Sequence, residues 1–265
     1  MASSLGRIGA MTLRYWYLLR SSWPRLLELV YWPTMQMLVW GFLQLYLAQN
    51  TSALARISGT LIGAVLLWDV LFRGQLGFSI SFLEEMWSRN IANLMMSPLR
   101  PVEFVAALML MSLVRLAIGM LPVTALAFVF FGFNIYGLGF ALAAFFANLV
   151  FTGWAIGLLV SGLVLRNGLG AESLAWSLMF LLLPLACVYY PVGTLPAWLQ
   201  PVSWALPPTY VFEGLRAALL DRVFRADLML EALALNAVYL ALGLGAFVLL
   251  LRSARQKGSL LAMGE

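Results

Sequence analysis

The 265-residue chain is 63% hydrophobic and 10% charged, carries a net charge of +5 and has a mean hydropathy of +0.93. A soluble domain holds roughly 25% charged residues, so this composition excludes one and points to an integral membrane protein. The single lysine, Lys257, follows Gln256 rather than a glycine, which excludes a Gly-x-x-x-x-Gly-Lys loop for ATP. With no histidine and only Cys187, the chain also lacks a Ser-His nucleophile, a histidine-ligated metal and an intrachain disulfide. We expect no catalytic residue, no metal site and no nucleic-acid partner. The arginines gather at the ends of apolar runs, where they fix topology and meet lipid headgroups.

In the first 25 residues, Arg7, Arg14, Ser21 and Arg25 share one stripe at about 100° per residue. Ile8, Met11, Tyr15, Leu18 and Leu19 lie largely elsewhere, and Tyr15, Trp16, Tyr17 and Trp23 suit the headgroup level. The pattern predicts an amphipathic helix over residues 1–25, lying along the membrane. Arginines recur through Arg25 without a clean apolar core or a small-residue cleavage site, which argues against a cleaved signal.

A spanning helix needs about 20 mostly apolar residues. Six runs qualify, at approximately Leu26–Ala48, Ile57–Ile80, Phe104–Phe131, Leu138–Leu165, Ser173–Tyr190 and Leu228–Leu251. An even number puts both termini on one side. That side carries Arg7, Arg14, Arg20, Arg25, Arg89, Arg100, Arg166, Arg252, Arg255 and Lys257, against Arg56, Arg216, Arg222 and Arg225 on the other. Ten against four places both termini in the cytoplasm.

Between the second and third runs lies a polar island, residues 82–103, with three of the eleven acidic residues. Ser81-x-x-Glu84 matches a capping box, Glu85 and Arg89 are spaced to pair, and Leu83, Trp87, Ile91 and Leu94 recur at helical spacing. Pro98 stops this helix and Pro101 stiffens the entry to the next run. We expect a short amphipathic cytoplasmic helix with Glu84, Glu85 and Arg89 on the face that meets a soluble partner. A shorter cytoplasmic link, Arg166–Glu172, is either a second contact or a plain turn.

After the fifth run, five of the eleven prolines fall within residues 191–208. Helices starting at Pro196 and at Pro207 are too apolar for an aqueous loop and too short to span. They read as external re-entrant half-helices within residues 191–222. Ionisable residues also sit inside the second and third apolar runs. Asp69 and Arg73 are four apart in the second, and form either an internal salt bridge or a pathway-facing pair. Arg115, in the third, has no acid nearby in sequence, and either meets a neighbouring helix or snorkels.

Leu83-Glu84-Glu85-Met86-Trp87-Ser88-Arg89-Asn90, followed by Ser97-Pro98-Leu99, resembles the loop between the second and third spans of ABC type-2 transporter permeases. Leu195-Pro196-x-Trp198-Leu199-Gln200, then Leu206-Pro207-Pro208-Thr209-Tyr210-x-x-Glu213-Gly214-x-Arg216, resembles that family's segment before its last span. The resemblance covers nearly the whole chain. It implies an all-α permease domain over residues 1–265, a multi-pass protein of the bacterial inner membrane. It implies dimerisation with a second copy or a related permease, and docking of separate ABC ATPase subunits, which would hold the ATP and Mg; this chain would hold no cofactor. The residues that would couple to the ATPase are Glu84, Glu85, Trp87, Ser88, Arg89, Asn90, Asn93, Ser97, Arg166 and Glu172. An external gate would involve Pro196, Trp198, Tyr210, Glu213 and Arg216. Apolar, aromatic spans fit export of a lipid, a drug or a lipid-linked glycan. Two other readings stand beside this one: an ion-coupled secondary transporter, for which Asp69 is the candidate carboxylate, and a membrane anchor for a soluble complex.

Overall fold

The computed structural model describes residues 3–50 and 59–256, and the regular elements among them are all helical. Arg56, Lys257 and the expected start of the second span at Ile57 lie outside the described residues. The α-helices are α1 (Ser4–Arg20), α2 (Trp23–Asn50), α3 (Thr60–Trp87), α4 (Ile91–Met96), α5 (Pro101–Phe131), α6 (Phe140–Asn167), α7 (Leu174–Leu185), α8 (Gln200–Trp204), α9 (Pro207–Arg216) and α10 (Ala226–Gln256). A π-helical turn, Ala217–Asp221, continues α9.

Among the described residues, four helices are long and apolar enough to cross a membrane: α3, α5, α6 and α10 as far as Ala254. At about 1.5 Å per residue the 28 residues of α3 reach about 42 Å, against about 30 Å of hydrocarbon. The first and fifth expected spans differ from these. Helix α2 has the length, also 28 residues, but Arg25, Glu28, Gln36 and Gln44 dilute its hydropathy. Helix α7 has the hydropathy but stops after 12 residues, at Leu185 rather than Tyr190. Pro184 lacks an N–H for the ladder, and the chain turns away at Cys187, whose φ is +51°. The expected interfacial helix ends at Arg20, and Pro24 sits in the first turn of α2, where its missing N–H costs nothing.

Helix α3 is the axis of the bundle. Ile62 through Leu71 are all buried, and α2, α5, α6, α7 and α9 pack around it. Lipid is as apolar as leucine, so close backbone approach rather than hydrophobicity holds such helices together. A Cβ on Gly153 of α6 would sit 2.9 Å from the Gln75 nitrogen and 3.1 Å from the Leu71 oxygen of α3. Polar side chains supply the second kind of bond. Thr152 of α6 donates to Asn236 of α10 at 2.7 Å, and the Asn236 amide donates to Asn148 Oδ1 at 3.0 Å. Bonds of this kind contribute about 0.6 kcal/mol each, at most about 1.7.

The buried apolar residues form two clusters. One joins Met11, Tyr15 and Leu19 of α1 to Phe78–Met86 of α3, Phe104–Met111 of α5 and Phe247–Ala254 of α10. The other joins Ile62–Leu71 of α3 to Val211, Phe212 and Leu215 of α9. The bundle thus has an α1 end and an α9 end.

Candidate functional site

At the α1 end, the apolar stripe Met11-Tyr15-Leu19 is fully packed against the bundle, so α1 is docked on protein and does not merely float on headgroups. Burial, reinforced by Glu85, holds the Tyr15 phenol well above its ordinary pKa, so it stays neutral. The docking is keyed by charge. Arg7 Nε donates to Glu103 Oε2 at 2.8 Å, and Ser4 Oγ donates to Glu103 Oε1 at 2.7 Å. Arg14 grips Glu85 with both terminal nitrogens, Nη2 lying 3.2 Å from Oε2. Arg25 and Arg115 converge on Glu84 at 3.0 Å, from the start of α2 and from inside α5. Three arginines from the first 25 residues therefore hold three carboxylates at the adjoining ends of α3 and α5. Arg115, without an acid nearby in sequence, meets a neighbouring helix.

The local backbone explains how α3 ends. The Asn90 amide donates to Glu85 O at 2.9 Å and the Arg89 amide to Met86 O at 3.0 Å. This pair of bonds is a Schellman motif with Arg89, φ +53°, in the left-handed position that glycine usually takes. Asn90 also donates from Nδ2 to Glu85 Oε2 at 2.8 Å, tying the start of α4 to the Arg14–Glu85 pair. Ser97 is extended before Pro98, as residues before proline are, and Pro101 opens α5. The second link, a 3-10 turn at Leu169–Ala171, is stapled to the first: Trp87 Nε1 donates to Glu172 Oε2 at 3.0 Å.

This geometry corrects the expected amphipathic helix in three ways. Ser81 caps nothing; its hydroxyl donates to Gly77 O inside α3. Glu85 pairs with Arg14 and not with Arg89. Glu84 and Glu85 point inward, with side chains 8% and 1% exposed, so they do not share an outward face with Arg89. The exposed residues of the two links are Trp87, Ser88, Arg89, Asn93, Met96, Arg100, Arg166 and Leu169, among others, while Asn90 and Ser97 are half-buried. Met96 and Arg100 were not among the expected contacts. Their position just before and just after the Ser97-Pro98 turn was the available signal.

In the middle of the bundle Asp69 Oδ1 lies 3.8 Å from Arg73 Nε, too far for a hydrogen bond, and both Asp69 Oδ2 and Arg73 Nε are buried without one. At the α9 end, α9 runs from Pro207 to Arg216 as expected, but the earlier helix starts at Gln200, after a turn over Pro196–Leu199. Glu213 Oε1 accepts from the Val192 amide at 2.8 Å, and Arg216 donates to Cys187 O at 3.0 Å and to Glu213. Two of the expected gate residues, Glu213 and Arg216, thus clamp the chain that follows α7. Tyr210 packs edge-on against Trp204, while Pro196 and Trp198 stand exposed and apart. Tyr189, Trp204, Glu213, Arg216, Asp221 and Arg225 help to line a cavity of about 770 Å³ here.

The family described as ABC-2 type transporter matches residues 8–220, most of the chain. No curated protein matches the chain. The chain therefore belongs to the ABC-2 type transporter family: it is a multi-pass permease component, of a kind that pairs with an ABC ATPase subunit.

Proposed function

We propose that this permease exports a hydrophobic or amphipathic molecule, of the lipid, drug or lipid-linked glycan class, powered by ATP bound with Mg on separate ATPase subunits. The reading places the chain in a bacterial inner membrane, with six spans and with both termini at the cytoplasmic α1 end. In it α2 and the segment Ser173–Tyr190, which contains α7, complete the spans, and α8 and α9 form a re-entrant gate within residues 191–222. Two copies, or this chain and a related permease, would make the transport unit.

One observation supports this reading above the others. The two links at the α1 end are locked to each other by Trp87–Glu172 and to the bundle axis by Arg14–Glu85–Asn90. A push delivered at α4 is therefore passed to α1, α3 and α5 as one lever, and α3 carries it along its 28 residues toward the α9 end. Glu84 and Glu85 act in this lever as positioning residues.

The test is transport in proteoliposomes holding the permease with its cognate ATPase. Fluorescent phospholipid, a lipophilic dye and a lipid-linked glycan serve as cargoes. ATP-dependent, vanadate-sensitive movement of one of them supports the proposal. The buried, loosely paired Asp69 favours one alternative, ion coupling. Transport driven by a proton or sodium gradient without ATP would establish that alternative and sink this one.

A further inference from the structure

We propose that the cavity at the α9 end binds an organic cation, an ammonium carried on an apolar body. The proposal rests on the permease reading above and narrows its cargo by charge.

At about 770 Å³ the cavity falls within the range of sites for drug-sized ligands, about 300–1,000 Å³. The groups that the fold leaves unused decide which class fits. Two arginines line the cavity, and both are spent inside the protein. Arg216 Nη1 donates to Cys187 O at 3.0 Å, its Nε donates to Glu213 Oε2 at 3.3 Å, and its Nη2 lies 3.0 Å from Glu213 Oε1. Arg225 donates to Asp227 from Nε at 2.9 Å and from Nη2 at 2.5 Å. Two neutral donors are spent as well: the Val192 amide on Glu213 at 2.8 Å, and Gln200 Nε2 on Leu195 O at 3.0 Å. The charge left over is negative. Among the described residues no hydrogen bond or salt bridge reaches the carboxylate of Asp221, which also lines the cavity. An anion would meet that carboxylate with both arginines already neutralised, whereas an ammonium would gain it as a partner.

The backbone puts Asp221 there. It is the last residue of the π turn, and Ala217 and Leu220 of the same turn line the cavity with it. Turns of this kind recur at functional sites. Arg222, next in the chain, has a left-handed backbone, φ +56°, and does not line the cavity. Two aromatic side chains complete the chemistry. Tyr189 is stacked on Trp40 of α2, with ring centroids 4.4 Å apart, and Trp204 packs edge-on against Tyr210 at 4.9 Å. A second ring thus steadies each wall. Aromatic faces attract cations through their quadrupole, most strongly where water is excluded. Leu61, Ala64 and Leu228 offer apolar surface to the rest of the ligand. A bare metal ion fits poorly, because calcium takes about six to eight oxygens and this cavity pairs one free carboxylate with aromatic and apolar walls.

The experiment follows the fluorescence anisotropy of rhodamine 6G, a lipophilic cation, on purified permease in the neutral detergent dodecyl maltoside. Rhodamine B, a related dye made zwitterionic by its carboxylate, is the comparison. Wild-type permease should bind rhodamine 6G at least about fivefold more tightly than rhodamine B. Asp221→Asn should weaken rhodamine 6G several-fold and leave rhodamine B within about twofold. Asp227→Asn, outside the cavity, should weaken rhodamine 6G as well, because it releases Arg225. Asp221 has no partner to lose, so its variant should fold, and monodisperse elution checks this. Equal rhodamine 6G affinity in wild type and folded Asp221→Asn would overturn the proposal, as would tighter binding of rhodamine B. Displacement of the dye by phosphatidylethanolamine in the micelles, and not by phosphatidylglycerol, assigns the ammonium to a lipid headgroup. Displacement by octylamine alone assigns it to a soluble amine, and failure of both overturns the proposal. The readout needs no ATPase. Loss of cation binding with ATP-driven transport intact would therefore fail the site alone, and intact binding without such transport would fail the permease reading alone.

Discussion

The two ends of the bundle are held together by different means. At the α1 end the ties are charged side chains reaching across the chain: Arg7 to Glu103 spans 96 residues, Arg14 to Glu85 spans 71, and Arg25 to Glu84 spans 59. At the α9 end the corresponding pair, Arg216 with Glu213, is three residues apart on one helix and grips backbone atoms of the chain after α7. Long-range ion pairs make separate helices move together. A short-range pair holding a turn leaves its segment to move by itself, next to a π turn and a cavity. The contrast suits a rigid input and an adaptable output.

The largest way to break this contrast is Glu85→Ala. It strands a buried site that binds Arg14 and Asn90. Losing one partner of a buried pair costs about 3–5 kcal/mol, and the partial exposure of Arg14 reduces this to about 2–3 kcal/mol. A thermal unfolding scan in detergent should show a fall of several degrees. The swapped double variant Arg14→Glu, Glu85→Arg should recover part of it, and no change in the single variant would mean that the α1 end is not held by this pair.

Glu213→Gln should act only on the other end. The amide still accepts from Val192 but no longer neutralises Arg216, at a cost of about 1–2 kcal/mol. Cys187 reports on it, being the chain's sole cysteine, fully buried, with its carbonyl bonded to Arg216. Maleimide labelling of Cys187 should speed up several-fold in Glu213→Gln and stay unchanged in Glu85→Ala. Equal acceleration in both would erase the distinction between the ends.

Trp87→Phe removes the Nε1–Glu172 bond at a half-exposed site and should lower stability by under about 1 kcal/mol. It should nevertheless lower transport per ATP hydrolysed, because the two links lose their staple. Unaltered coupling would show that each link acts alone. The smallest expected effect is that of Arg89→Gly on stability. Relief of a left-handed arginine offsets the loss of one surface charge, giving a gain of about 1 kcal/mol or less. A drop of several degrees would mean that Arg89 holds the turn by its side chain.

Much of the scaffold was readable from the chain. Pro207 marked a helix start that the structure keeps, and the helix at the start of the chain, with Met11, Tyr15 and Leu19 off its arginine stripe, followed from spacing. The end of α3 was not readable, because its stop is an arginine in a glycine's conformation, and nothing in Trp87-Ser88-Arg89-Asn90 advertises that. Glu84 and Glu85 looked outward-facing for the same reason. Their true partners lie 59 and 71 residues away, beyond the reach of any local spacing rule. Asp69–Arg73 was found by spacing alone, yet at 3.8 Å the pair is looser than its i,i+4 placement suggests.

The Asn148–Thr152–Asn236 set bears on how the protein is made. Before α10 is synthesised, the hydroxyl of Thr152 and the amide of Asn148 can donate within α6, to Asn148 O and Ala144 O, so these two side chains have a local outlet in lipid. Asn236 has no such local outlet: both of its recorded donations, and the bond it accepts, go to α6. Helix α10, which leaves the ribosome after α6, therefore carries an amide that lipid penalises until it docks. Completion of the bundle becomes the step that hides a polar tag, and an insertase or a membrane protease has a ready mark for telling a finished permease from an unfinished one.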